Sequence, residues 1–168
     1  MNAKQKRTAL KIALAGIFAG LLLRFFVVDI LIVHGKSMEP FIKDHDVIFV
    51  NRLSYGLAVP FGSSLFFSWN EPVSGECIIY MYNNNMVVKR CAACSGESLE
   101  YSSNKGYTLT TNGKSYSLSY EQYRLMNNIE KVPEGMILAI GDNTEVSLDS
   151  RSYGFVPVRN VIGKVLCR

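Results

Sequence analysis

The chain has 168 residues, 48% of them hydrophobic, and a formal charge of +4. That length supports one sizeable core and not two, so one main domain with appendages is expected. The excess charge sits at one end, in Lys4, Lys6, Arg7 and Lys11; beyond it Lys and Arg alternate with Asp and Glu, without the basic, aromatic-interleaved stripe that nucleic-acid binding requires.

The basic tip leads into "IALAGIFAGLLLRFFVVDILIV", residues 12–33, whose only charges are Arg24 and Asp29. A bilayer core needs about 20 mostly apolar residues at ~1.5 Å rise. Residues 8–28 meet that need if Lys11 and Arg24 reach the two interfaces. The reading is therefore a cytoplasmic basic N-terminus over 1–7, a transmembrane anchor over 8–28, and an extracytoplasmic domain over 29–168, oriented by the positive-inside rule. No small-x-small site follows the apolar run, so an uncleaved anchor is favoured over a cleaved signal peptide.

Downstream, short apolar runs bounded by Gly, Pro, Asn or Asp predict strands at 47–53, 77–82, 86–91, 136–140 and 161–167. Residues 98–118 alternate Tyr, Thr and Ser around "NKG" and "TNG", as in an exposed hairpin. One helix is predicted over 119–129, with Ser119 as N-cap and Gln122 completing a capping box. Together, 97–132 reads as a small variable insert in a mainly β domain.

"NNN" at 83–85 suits a three-residue hairpin connection, pairing Tyr82 with Met86 and placing Cys77 opposite Cys91. A Cys77–Cys91 disulfide is one expectation from that register, and buried thiols used as small hydrophobes are the other. Cys91 and Cys94 form a single C-x-x-C without a second pair or flanking histidine, so neither a metal nor a cofactor is expected.

Three stretches could carry chemistry. "HGKSMEP" holds Ser37 between a polar turn and an apolar strand, where by itself it reads first as a turn residue and second as a nucleophile. His34 and His45 are poor candidates for its base: His34 lies on an extended segment and His45 in the turn "KDHD". Lysine can serve instead where burial favours the neutral amine, and Lys89 in "MVVKRC" sits mid-strand among apolar neighbours, although most strand lysines face solvent. "GDNTEVSLDSRSYGFVP", 141–157, concentrates Asp142, Ser147, Asp149 and Arg151, either as Asx turns with a surface ion pair or as a holder for that lysine.

Taken in order behind an apolar leader, "GKSMEP", "DHDVIFVNRLSYG", "VVKR" and "GDNTEVSLDSRSYGFVP" resemble the motifs of bacterial type I signal peptidases. These are membrane-anchored serine/lysine endopeptidases that remove signal peptides from exported proteins. The resemblance implies a membrane-anchored β-domain with Ser37 as nucleophile and Lys89 as general base. It makes Ser147 a hydrogen-bonding partner of the lysine amine, Asp149 and Arg151 a supporting ion pair, and Asp142 and Asn143 shapers of the loop. Val33, Met38, Ile42, Val87 and Val88 match positions lining two small pockets, which favour Ala-x-Ala before the cut. The implied partners are signal peptides and membrane lipid. The Ser37 N–H would be one oxyanion donor; the family's occasional serine two residues earlier is Gly35 here, His34 stands where proline is frequent, and "CAACSGE" replaces Gly-Leu-Pro-Gly-Asp. A serine/lysine processing peptidase of a conjugation system and an inactive membrane-anchored binding domain are the alternatives.

Overall fold

The computed structural model describes residues 3–58, 62–104 and 106–167, with the side chains of 3–4, 22–26 and 167 outside that description. Lys4 and Arg24, invoked at the flanks of the expected anchor, fall among those side chains.

The apolar run 12–33 divides in two. Helix α1 (Ala3–Phe26) takes the first part, and strand β1 (Val28–Ile32) takes "VDILI". β-branched residues at alternate positions explain the break, because Val28, Ile30 and Ile32 share one face of a strand. Along α1, residues 5–21 are exposed. Among the described residues no helix is long and apolar enough to cross a membrane.

The chain continues through β2 (Val47–Asn51), β3 (Gly56–Ala58), β4 (Leu65–Ser68), β5 (Cys77–Tyr82) and β6 (Asn85–Ala93). It then forms β7 (Glu100–Ser102), β8 (Tyr107–Thr111), β9 (Lys114–Leu118), α2 (Tyr120–Met126) and β10 (Met136–Ile140). The last elements are α3 (Ser150–Tyr153), β11 (Val156–Pro157) and β12 (Val161–Cys167). Antiparallel pairing builds a seven-stranded sheet in the order β1-β2-β12-β5-β6-β10-β11, with β3-β4 and β7-β8-β9 as smaller sheets. The mainly β expectation holds.

The β5–β6 hairpin differs from its sequence reading by one residue. Tyr82 pairs with Asn85 and Met81 with Met86, leaving a two-residue turn. Asn83 and Asn84 both have positive φ, 47° and 61°, the left-handed pair of a type I′ turn that asparagine tolerates. A one-residue slip exchanges the faces of a strand. Cys77 is therefore opposite Arg90 and not Cys91, and both thiols are free. The expected disulfide is not formed: Cys77 packs with Val33, Met38 and Ile79, whereas Cys91 packs with Tyr55, Tyr80 and Ala139 in a separate cluster.

The segment that contains the insert is a three-stranded sheet followed by α2. Ser119 caps α2 as predicted: its Oγ accepts from the Gln122 N–H while Gln122 Oε1 accepts from the Ser119 N–H. Leu99, Leu109, Leu118, Met126 and Val132 pack against Ala93, Leu138 and Ile140, so this layer closes one side of the β6–β10 pair. That cover matters for the residues immediately beyond Ile140.

Candidate active site

Ser37 lies in the turn after β1, and Lys89 is the central residue of β6. Alternation along β6 turns Lys89 inward, where it is 4% exposed. Its Nζ lies 2.7 Å from Ser37 Oγ and donates at 3.1 Å to the Val88 carbonyl. Burial is the largest influence on this amine and holds its pKa below the ordinary lysine range; the Asp149 carboxylate opposes that shift and Arg151 reinforces it. A hydroxyl is thus joined to an amine biased toward its neutral, proton-accepting form.

The loop after β10 supports both groups. Ile140 pairs with Arg90, so the strand ends beside the reactive part of β6. Asn143 N–H donates to the Ser37 carbonyl at 3.0 Å, and the Asn143 carbonyl in turn accepts from Ser147 N–H at 3.1 Å. Gly141 lies under this crossing. A Cβ there would stand 2.2 Å from Ser147 Oγ and 2.5 Å from the Ser37 carbonyl oxygen, so glycine is required by space.

Ser147 is buried at the same place, but among the described residues its Oγ has no hydrogen-bond partner. The expected Ser147–Lys89 bond is not made in this geometry, because the partners of Lys89 Nζ are Ser37 and Val88.

Asp149 and Arg151 form a buried pair, not a surface one. Arg151 Nε donates to Oδ1 and Nη2 to Oδ2, both at 2.9 Å, while Gly141 N–H also donates to Oδ2 at 3.0 Å. Arg151 reaches on to the Ser117 and Thr144 carbonyls at 3.1 and 2.9 Å. With both side chains at 2% exposure or less, leaving either charge alone would cost about 3–5 kcal/mol. The pair thereby fixes the loop that presents Gly141 and Ser147.

A cleft of about 680 Å³ opens from Ser37 and Lys89. One wall is the end of β1 with Val33 and Met38, the other is Met86, Val87 and Val88 of β6, and Val146 and Leu148 stand at its rim. Four of the five sequence-predicted binding residues, Val33, Met38, Val87 and Val88, line it. Ile42 does not: it is fully buried in the cluster that holds Val33 and Met38, and its N–H donates to the Met38 carbonyl.

The family profile described as "Signal peptidase, peptidase S26" matches residues 5–168. The chain belongs to this family. It is 31% identical over 161 residues to a signal peptidase I of Bacillus caldolyticus, covering 85% of this chain and 80% of that one. It is 29% identical over 167 residues to signal peptidase IB of Staphylococcus aureus, covering 85% and 78%. A crystal structure of a signal peptidase I from Enterococcus faecalis V583 aligns with 30% identity over 59% of this chain and 99% of that chain, with a TM-score of 0.40. As a member of the peptidase S26 family the chain is a serine endopeptidase.

Arg90 is the residue of this peptidase that the sequence reading passes over. Its Nε and Nη2 grip Asp142 at 2.7 and 2.6 Å, and its Nη1 donates to the Gly75 carbonyl at 2.7 Å. The signal was available: if Lys89 faces inward, its strand neighbour Arg90 faces the other way and calls for a carboxylate there.

Proposed function

We propose that removal of signal peptides from exported precursors, the activity of this family, is carried out here by Ser37 attacking the scissile carbonyl with neutral Lys89 as its base. The observation that carries this reading is the 2.7 Å approach of a 4%-exposed lysine amine to the serine hydroxyl. Lys89 takes the hydroxyl proton as the C–O bond forms, then returns a proton to the leaving amine; water repeats the sequence on the acyl-enzyme. The Ser37 N–H serves as an oxyanion donor. Ser147 Oγ takes up the Lys89 amine when Ser37 leaves it, a role supported by its burial without a hydrogen-bond partner among the described residues.

The substrate binds as an added strand. β1 is an edge strand paired only with β2, and β10 pairs with β6 only from Arg90 onward. The outer edge of β1 and the stretch of β6 before Arg90 therefore offer backbone groups to an extended peptide lying in the cleft. Apolar walls with Val33, Met38, Val87 and Val88 suit small side chains, consistent with an Ala-x-Ala preference.

The domain sits at a membrane surface, outside the cytoplasm, with the apolar stretch 8–28 as its single-pass anchor and the N-terminus inside. Support comes from the exposed Leu10, Ile12, Leu14, Ile17, Phe18 and Leu21 of α1 and from an apolar face on β1 and β2. In that face Ile30 is opposite Phe49 and Ile32 opposite Val47, all exposed.

Incubation of detergent-solubilised wild type, Ser37→Ala and Lys89→Ala with an exported precursor carrying an Ala-x-Ala site tests the assignment. Cleavage by wild type alone is expected. Undiminished cleavage by either variant would reject the dyad.

A further inference from the structure

Beside the nucleophile turn, and outside the cleavage machinery, lies a second group of ligating side chains. His34, Asp44 and His45 each present one donor atom, and the three atoms lie within 4.8 Å of one another. Their two segments are clamped by backbone hydrogen bonds: Val33 N–H donates to the Asp46 carbonyl at 2.9 Å, and His45 N–H to the Val33 carbonyl at 2.8 Å. Gly35 N–H donates to Asp44 Oδ1 at 2.8 Å and so fixes the carboxylate. The other oxygen, Oδ2, faces His45 Nδ1 at 3.2 Å. That spacing is close to the roughly 3.3 Å edge of a tetrahedron built on ~2.0 Å metal bonds.

A second observation concerns the backbone of His45. Its φ is +68°, a left-handed conformation that is uncommon for a residue other than glycine. The side chain held there is 73% exposed, so no core contact accounts for keeping an imidazole in this turn. Its ring meets that of His34 edge to face, with centroids 5.5 Å apart. This left-handed turn, which histidine adopts more readily than most residues, holds the His45 ring toward the two other donors.

We propose that His34, Asp44 and His45 bind a Zn2+ ion. Two imidazole nitrogens and one carboxylate oxygen suit zinc, whereas Ca2+ and Mg2+ favour all-oxygen sets. Three protein ligands leave a position for solvent. Because His34 also lines the catalytic cleft, the ion would sit at its rim and tie the segment before Ser37 to the 43–46 turn.

The test is a Zn2+ titration of the full chain in detergent, after chelator treatment and dialysis, in competition with a chromophoric chelator. One equivalent is expected to bind wild type. Asp44→Asn, His34→Gln and His45→Asn should each weaken binding by roughly tenfold or more; asparagine at 45 retains the left-handed backbone. Circular dichroism checks that each variant is folded. Substitution by Co2+ separates this site from the thiols, since a nitrogen and oxygen site has no thiolate-to-metal charge-transfer band. Absence of binding, a thiolate band at one equivalent, or equal affinity in all three variants and wild type overturns the proposal.

Discussion

Arg90 holds Asp142 across a separation of 52 residues, the same separation that divides Ser37 from Lys89. Adjacent residues of β6 thus reach in opposite directions, one to the nucleophile and one to the loop whose next residue, Asn143, donates to the Ser37 carbonyl. The contacts form a closed circuit from Lys89 through Ser37 and the 142–143 loop back to Arg90.

Breaking that circuit at Arg90 should disturb positioning more than folding. Arg90→Leu and Asp142→Leu are each expected to lower kcat on a precursor by about 10- to 100-fold with less change in KM, since small misplacements of reacting groups are costly. The side chains are 19% and 16% exposed, so the stability loss should be smaller than for a fully buried pair, about 1–3 kcal/mol. The double variant should be little worse than either single one, because both remove the same tie. Steady-state cleavage and urea unfolding of the four proteins check this; additive losses in kcat would contradict it.

The depressed pKa of Lys89 sets the sign of two pH effects. Only the neutral amine accepts the Ser37 proton, so kcat/KM should rise with pH through the folded pKa and then level off. For stability, the protonated amine is disfavoured in the fold, and the cost is greatest below the folded pKa. It shrinks as pH rises between the folded and unfolded values and vanishes above the latter. Lys89→Met should therefore be more stable than wild type near neutrality, by roughly 1.4 kcal/mol for each tenfold loss of proton affinity that folding imposes on the amine. Calorimetry from pH 7 to 11 should show the difference in Tm closing; a constant difference would mean that folding leaves the proton affinity of Lys89 unchanged.

The strands carrying the site were legible because their signals are local. "CIIYMY", "MVVKRC" and "MILAI" are apolar runs between turn residues, and the Ser119 and Gln122 capping box marks the start of α2. β1 was hidden because its apolar residues continue the run of α1, and composition alone does not divide helix from strand there. The hairpin register turned on whether two or three asparagines form the turn, and left-handed φ at Asn83 and Asn84 is set by strand twist. At the site, Ser37 and Lys89 were legible as motifs and their contact was not, since it depends on the closure of β1 toward β6. Ile42 shows the opposite error: its place in the motif suggested a pocket wall, while its buried side belongs to the core.

Gly141 offers a test of packing at the reactive centre. Its φ is not in the left-handed region, so alanine is excluded by the 2.2 and 2.5 Å approaches to Ser147 Oγ and the Ser37 carbonyl alone. Gly141→Ala should lower kcat by about 100-fold or more, with secondary structure retained. Ser147→Gly added to it should not restore activity, because the contact with the Ser37 carbonyl remains and the hydroxyl assigned to the Lys89 amine is lost. Restoration would locate the whole effect at Ser147.

The cysteines give a prediction independent of catalysis. Cys77 and Cys91 occupy different core clusters, but Cys91 and Cys94 Sγ are only 3.5 Å apart. A bond requires closing that gap to about 2.05 Å. Cys94 is the more exposed of the two, while burial raises the pKa of Cys91, so Cys94 attacks first. With oxidised glutathione as oxidant, Cys94 thiolate displaces one glutathione thiol to give a mixed disulfide, and Cys91 then displaces the second. Two thiols of the protein are oxidised and one glutathione disulfide is reduced. Tryptic mapping without reduction should find the peptide 91–105 lighter by two hydrogens, with Cys77 still open to alkylation. A cross-linked peptide joining Cys77 to Cys91 would mean that the β5–β6 register in solution is the one with Tyr82 opposite Met86.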